Sequence, residues 1–310
     1  MLRYIIRRLL QMVLAFFGTT LIVYYMMFQA SGDPIQALAG EKPVNEAVRA
    51  KLTAEYHLDE PFLVRYWYYV KGLLTGDLGN SLSGGRPIAE VLAERWPTTA
   101  NLALYAFIFV VILGVGAGVI AGIRRGGIFD NTTLLLTLVV IGIPSFVLGL
   151  TLQLGLGVKA GIFPVTYMEE RDGQFGLILP GFILGSLALA TAVRLTRTSV
   201  AENLRADYVR TAKAKGLAKR RITIVHVLRN SLIPVVTFLG IEIGNLMGGA
   251  IITEGIFNVQ GVGFELKKAI DIEDGPMVVS IVSILVVIYL LANLLVDILY
   301  AVLDPRIRYE

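Results

Sequence analysis

Six stretches of this chain, 9–28, 100–123, 132–158, 177–195, 232–253 and 277–303, are too long and too apolar for the interior of a water-soluble domain. About 20 apolar residues coiled as a helix cross a bilayer of about 30 Å, with every backbone hydrogen bond made inside the segment. Hydrophobic residues make up 55% of the chain and mean hydropathy is +0.69, more apolar side chain than a soluble fold of this size can bury. The excess must face lipid. The expectation is an all-α integral membrane protein with six transmembrane helices. The first run follows Arg3, Arg7 and Arg8, but it exceeds a secretory apolar core, and "MMFQASGD" at 26–33 offers no small-residue cleavage site. It reads as an uncleaved first span. The third holds Ile143-Pro144-Ser145, where the missing proline amide predicts a kink in mid-helix.

An even number of spans puts both termini on one side, and the basic residues decide which. The N-terminus, 124–131, 194–231 and the C-terminal tail together carry 17 Lys and Arg against five acids. The opposite set, 29–99, 158–176 and 254–276, carries 11 basic and 17 acidic residues. Lys and Arg favour cytoplasmic loops, so both termini are expected inside. Long loops translocate largely regardless of charge, yet without 29–99 the ratio of basic residues is still 17 to four.

The chain then divides into 1–28 with the first span, an extracytoplasmic region 29–99, a five-span core 100–303 with a cytoplasmic loop 194–231, and a tail 304–310. The outer region is too long for a simple connector. Segments 43–56 and 63–74 have helical character, and "GDLGNSLSGGRP" at 76–87 is rich in turn formers. Tyr66, Trp67, Tyr68 and Tyr69 suit an amphipathic helix at the membrane interface. Such a cap would either pack on the spans or touch a ligand. No internal repeat is evident, so the inverted halves of many secondary transporters lack support.

The densest positive charge is in "DYVRTAKAKGLAKRR" at 207–221. A basic loop beside a membrane can obey the positive-inside rule or bind anionic lipid. Nothing resembling a nucleic-acid recognition motif accompanies it. Its finer pattern favours a docking element. Asp207 is placed as an N-cap and Gly216 as a left-handed helix stop, while Tyr208, Ala212 and Gly216 recur every four residues. Lys213, Lys215, Lys219, Arg220 and Arg221 supply charge around that narrow face.

"DYVRTAKAKGLAKRRITIVHVLRNSLIP" at 207–234 resembles the cytoplasmic loop of ABC-importer permeases of the dipeptide/oligopeptide/nickel family. Gly216 and Ala212 match the Gly and second Ala of the general importer pattern, while Arg210 and Thr211 replace its Glu and first Ala. Of its terminal Ile-x-Leu-Pro only Leu228 agrees, between His226 and Arg229. Arg-Thr-Ala-x-x-Lys-Gly followed by His-x-Leu-Arg-Asn is the form taken by the peptide-permease branch. "SGDP" at 31–34, "GDLGNS" at 76–81, "RLTRTSVAENL" at 194–204, "TEGIFNVQGVG" at 253–263 and "NLLVDILYAVLDPRIRY" at 293–309 extend the resemblance over the whole chain. It implies a type I importer permease fold in a bacterial cytoplasmic membrane. It also implies a second homologous permease subunit, two cytoplasmic ATPase subunits (or one fused chain) and an extracytoplasmic substrate-binding protein. The 207–216 segment, with Asp207, Tyr208, Arg210, Thr211, Ala212, Lys215 and Gly216, would be the coupling helix gripped by an ATPase. ATP and Mg would belong to those partners, with no cofactor and no catalytic residue in this chain.

The residues agree with that division of labour. There is no phosphate-binding Gly-x-x-x-x-Gly-Lys-Ser/Thr and no His-Glu-x-x-His, Gly-x-Ser-x-Gly or EF-hand spacing. With no cysteine, and with His57 and His226 in loops assigned to opposite faces, no shared metal site is expected. Carboxylates inside spans are functional candidates because lipid solvates them poorly. Glu242, Asn245 and Gly249 share one face of the fifth span and would be either a wall of the translocation path or an interhelical contact to the sister subunit. Asp297 is placed to pair with a terminal Arg. Phe257, Val262, Phe264 and Ile270 would form an outer gate or pack the outer loops. Chelated nickel is an alternative cargo, and an ion-gradient-driven carrier is the alternative mechanism.

Because the chain lacks cysteine, orientation is directly testable with single Gly84→Cys and Gly216→Cys variants. An impermeant thiol reagent on intact cells should label position 84 and spare 216. The reverse pattern would invert the topology.

Overall fold

The computed structural model describes residues 2–28, 35, 45–82 and 85–303. Among these the chain is helical apart from turns and a single Asn80–Pro87 bridge. Five helices are long and apolar enough to span a membrane: Ile6–Met26, Ile88–Ile123, Glu169–Asn203, Lys219–Gly248 and Gly275–Val296. The remaining apolar segment is a pair, Ile128–Gly142 and Ser145–Lys159, bent by 105°. Counting that pair as one span gives six.

The kink expected at Pro144 is therefore a break. Proline disfavours helical geometry in the residue before it. Ile143 is extended (φ −102°, ψ 126°), and Pro144 caps the following helix with φ −55° and ψ 137°. The tail 304–310, the "SGDP" motif at 31–34 and Gly84 lie outside the described residues, as does the side chain of Asp297.

The residues group into two compact units, Met1–Thr99 with Gln260–Leu294, and Ala100–Val259 with Leu295–Glu310. In the first, the helix Phe62–Thr75 lies against the N-terminal helix Leu2–Phe28 and the start of Gly275–Leu303. Tyr24 meets Phe62, Tyr66 and Tyr69 at ring distances of 5.8, 5.7 and 5.1 Å. Two phenols pin the arrangement. Tyr66 donates to the Phe17 carbonyl at 3.0 Å and shares a 2.8 Å hydrogen bond with Thr20. Tyr69 hydrogen-bonds Ser283. Burial pushes both phenols above the usual tyrosine range, so they remain protonated. Farther along, Ser81 donates to Asp274 at 2.5 Å, and the Val262 amide donates to Thr99 at 2.8 Å. Arg95 donates to Gln260 at 3.0 Å and pairs with Glu265 at 3.6 Å.

The second unit is organised around the helix Ile178–Asn203. Gly114, Gly118 and Gly122, spaced by four, press against it, and at Gly118 and Gly122 the approach leaves no room for a side chain. A β-carbon at Gly118 would stand 2.6 Å from Thr196 Cβ and 2.7 Å from the Val193 carbonyl oxygen. At Gly122 it would stand 2.8 Å from the Arg197 carbonyl oxygen. The contact is reciprocal, since a β-carbon at Gly181 of the central helix would stand 2.7 Å from Tyr105 Cβ and one at Gly185 2.8 Å from the Ala106 carbonyl oxygen. Lipid gives apolar helices no hydrophobic reason to associate, so close contact between small residues supplies the attraction instead. Toward one end, Leu102, Leu177, Ile183, Ala250, Phe257 and Val259 form a core closed by Tyr167, whose amide donates to the Phe257 carbonyl at 2.8 Å. Gln153 ties the same region by donating to the Val165 and Ile256 carbonyls at 2.7 and 3.0 Å.

Gly118→Val should lower the thermal midpoint of the detergent-solubilised protein by several degrees, since overpacking costs about 1–3 kcal/mol. Gly116→Val is the control, because a β-carbon there meets nothing within 4 Å. Equal midpoints in the two variants would sink the seam.

Candidate functional site

The basic segment at 207–221 folds as the short helix Asp207–Ala214, a tight stop, and then Lys219–Arg221 leading into Ile222–Leu228. The stop has a full set of capping bonds. Gly216 has φ +74°, its amide donates to the Lys213 carbonyl at 2.9 Å, and the Leu217 amide donates to the Ala212 carbonyl at 3.2 Å. That pair of bonds needs a left-handed residue between them, which glycine adopts without strain. The helix start differs from the sequence expectation. Ala206 occupies the cap position with φ −67° and ψ 152°, and Asp207 is the first helical residue. The Asp207 carboxylate instead pairs with Arg210 at 3.4 Å, one turn on, where both are well exposed. A carboxylate in the first turn still favours the helix through its dipole.

The presented face also differs. Ala212 is buried, so Tyr208, Ala212 and Gly216 do not make a common outer surface. Val209 and Ala212 point inward, in a cluster with Val200 of the central helix and with Ile222 and Val227. Burying two apolar side chains outweighs displaying them, and their i, i+3 spacing sets the inner face. What remains outside is Asp207, Arg210, Thr211 and Ala214 on one stripe, flanked by Lys213, Lys215 and Gly216. Tyr208 lies at the edge, donating to Asn203 Oδ1 at 2.6 Å.

Two polar connections anchor the ground this helix stands on. Arg197 donates twice to Asp130, both at 2.7 Å, and Asp130 is fully buried. The same carboxylate accepts from the Gly126 amide at 2.8 Å, fixing the turn between two apolar helices. Then Ser199 donates to the Ser231 carbonyl at 2.9 Å, while Ser231 donates to the Ser199 carbonyl at 3.3 Å. That clasp joins the central helix to Arg229–Phe257. Neither connection was among the residues picked from the sequence. The legible hint was charge placement, because Asp130 and Arg197 lie in segments assigned to the same membrane face.

Glu242, Asn245 and Gly249 all fall on Arg229–Phe257. Asn245 donates to Glu242 Oε1 at 3.2 Å, so the two polar groups satisfy each other one turn apart. The surroundings of Gly249 lie outside the described residues. Of the four apolar residues considered for an outer gate, Phe257 and Val262 are buried packing residues, whereas Ile270 is exposed.

Comparison with known proteins places these apolar spans and the basic loop helix in a family. Residues 114–309 match the model of the binding-protein-dependent transport system inner membrane component. Residues 1–103 match the corresponding N-terminal membrane component model. The chain belongs to this family. It is an ABC importer permease, a multi-pass inner membrane protein and a non-catalytic subunit. Such a permease works with a substrate-binding protein and with ATPase partners. The chain is 37% identical to the dipeptide transport system permease protein DppB of Escherichia coli (strain K12), over 100% of both chains. It is 36% identical to the di/tripeptide transport system permease protein DppB of Pseudomonas aeruginosa (strain UCBPP-PA14), again over 100% of each. The glutathione transport system permease protein GsiC of Escherichia coli (strain K12) is 34% identical with the same full coverage.

Breaking the buried ion pair should cost about 3–5 kcal/mol, because one charge is left without its counterpart. Asp130→Ala and Arg197→Met should each destabilise the purified permease strongly, and the double variant by clearly less than the sum. Additive losses would mean the two residues act separately.

Proposed function

We propose that this chain is the membrane-spanning subunit of an ATP-driven importer that carries dipeptides or oligopeptides inward across the bacterial cytoplasmic membrane. The observation that carries the reading is the end-to-end similarity to permeases named for dipeptide, di/tripeptide and glutathione transport. Glutathione is itself a small peptide, so these cargoes share one chemical class. The permease pairs with a second, homologous permease subunit. Two ATPases dock on the cytoplasmic side, and a binding protein delivers peptide outside.

The asymmetry of Lys and Arg supports cytoplasmic termini and a cytoplasmic 194–231 loop. The stripe Asp207, Arg210, Thr211 and Ala214, with Lys213 and Lys215 beside it, seats in a groove of an ATPase. The ATPases hold the nucleotide and Mg; this chain supplies the lever. Because Val209 and Ala212 are buried against Val200 and Val227, displacement of the loop helix pushes on the central helix. The Ser199–Ser231 clasp passes that displacement to Arg229–Phe257. This helix carries Glu242, Asn245 and Gly249, which we place on the wall of the path. Rocking of these helices exposes the cavity alternately to the binding protein and to the cytoplasm.

The test is uptake of labelled di- and tripeptides into proteoliposomes holding the chain with its sister permease, ATPases and binding protein. Uptake should require ATP and survive a protonophore, and it should persist in Glu242→Gln, because energy enters at the loop helix. Gly216→Val should insert normally, yet lose most ATPase association and uptake, since a branched residue is strained at that left-handed stop. Uptake that follows an imposed pH gradient without ATP, and vanishes in Glu242→Gln, would overturn the importer reading.

A further inference from the structure

The helix Phe62–Thr75 has an exposed apolar stripe on one side and a cavity lined by its two cations on another. Its inner face is tied to two long apolar helices. Tyr66 reaches Phe17 and Thr20, and Tyr69 reaches Ser283. Thr20 is followed in its helix by the apolar and aromatic run 21–28, and Ser283 lies in the apolar part of Gly275–Leu303. The helix thus runs along the sides of both apolar helices.

Its opposite face fits that depth. Leu63, Trp67 and Leu74 fall on one stripe and are 68%, 58% and 72% exposed, as bare as Leu14 of the first span at 73%. The helix contains no acid, and its two cations are Arg65 and Lys71. Both line a cavity of about 410 Å³ shared with Tyr24, Phe28, Tyr68 and His57. Pro276 and Ser280, from the start of Gly275–Leu303, also border it. Arg65 is buried in its wall, and Lys71 stands between the cavity and the Trp67 stripe. Among the described residues Lys71 has no carboxylate partner. The acid on the lining is Asp77.

We infer that the Lys71 edge of this cavity and the stripe form one phospholipid site, with the phosphodiester held by Lys71 and the acyl chains laid over Leu63, Trp67 and Leu74. Long cationic side chains beside an apolar face place their charge at headgroup level, and tyrosines supply donors to phosphate oxygens. The orientation proposed above decides only that the leaflet is the outer one. The site itself follows from the local geometry.

Two measurements on the full chain with its sister permease test the site. In nanodiscs, the difference between Trp96→Phe and Trp96→Phe/Trp67→Phe complexes isolates the Trp67 signal from that of the sister permease, since the chain has two tryptophans. Phospholipid brominated near the top of its acyl chains should quench Trp67 at least twofold. Absence of quenching would place the helix outside the lipid and overturn the inference. By native mass spectrometry, the complex should retain a phospholipid whose occupancy falls several-fold in Lys71→Glu and is kept in Lys71→Arg. Unchanged occupancy in Lys71→Glu, or displacement of the lipid by millimolar inorganic phosphate, would remove the assigned phosphate site. ATP-dependent peptide uptake is measured on the same complexes; its failure would count against the importer and leave the lipid result standing.

Discussion

Everything in the second unit depends on how closely the central helix can be approached. Water drives apolar helices together, but lipid does not, so helices there associate through contact and hydrogen bonds. Gly114, Gly118 and Gly122 bring one neighbour within backbone distance of Ile178–Asn203, and Gly181 and Gly185 complete the contact from the other side. A single methyl group at Gly118 would collide with Thr196 and the Val193 carbonyl. With the backbones fixed so tightly, the central helix has little freedom to slide.

That rigidity gives meaning to the polar connections at 197–199. The Asp130–Arg197 pair is fully buried on its acidic side, and such pairs specify one arrangement more than they add stability. The reciprocal bonds of Ser199 and Ser231 join a second long helix at the same level. On this foundation sits a helix of eight residues, Asp207–Ala214, held by Val209 and Ala212 and closed by Gly216. A segment so short has little helical stability of its own. Its shape is borrowed from the helices below it.

The first unit solves a different problem, fixing a surface helix against spans without a small-residue seam. It does so with aromatic contacts and phenolic hydrogen bonds. Tyr66 and Tyr69 bury their rings beside Tyr24 while their hydroxyls find Thr20, the Phe17 carbonyl and Ser283. The aromatic run therefore divides its labour. Tyr66 and Tyr69 bind inward, whereas Trp67 and Tyr68 face out.

The sequence alone determined the class of protein, the positions of the apolar helices and the left-handed stop at Gly216. Each of these follows from local physics: hydrocarbon solvation, the length needed to cross it, and the steric freedom of glycine. The motifs at 207–234 also carried the family, which the full-length similarity bears out. Tertiary structure alone decided which face of the loop helix is available, because the periodicity of Tyr208, Ala212 and Gly216 cannot tell burial from display. The structure shows the kink at Pro144 to be a 105° break, with Ile143 extended before the proline. It also paired Asp130 with Arg197, residues 67 positions apart that no local pattern joins. What depends on neighbours in sequence was readable; what depends on neighbours in space was not, because a residue's partner across the fold leaves no mark on its own surroundings in the chain.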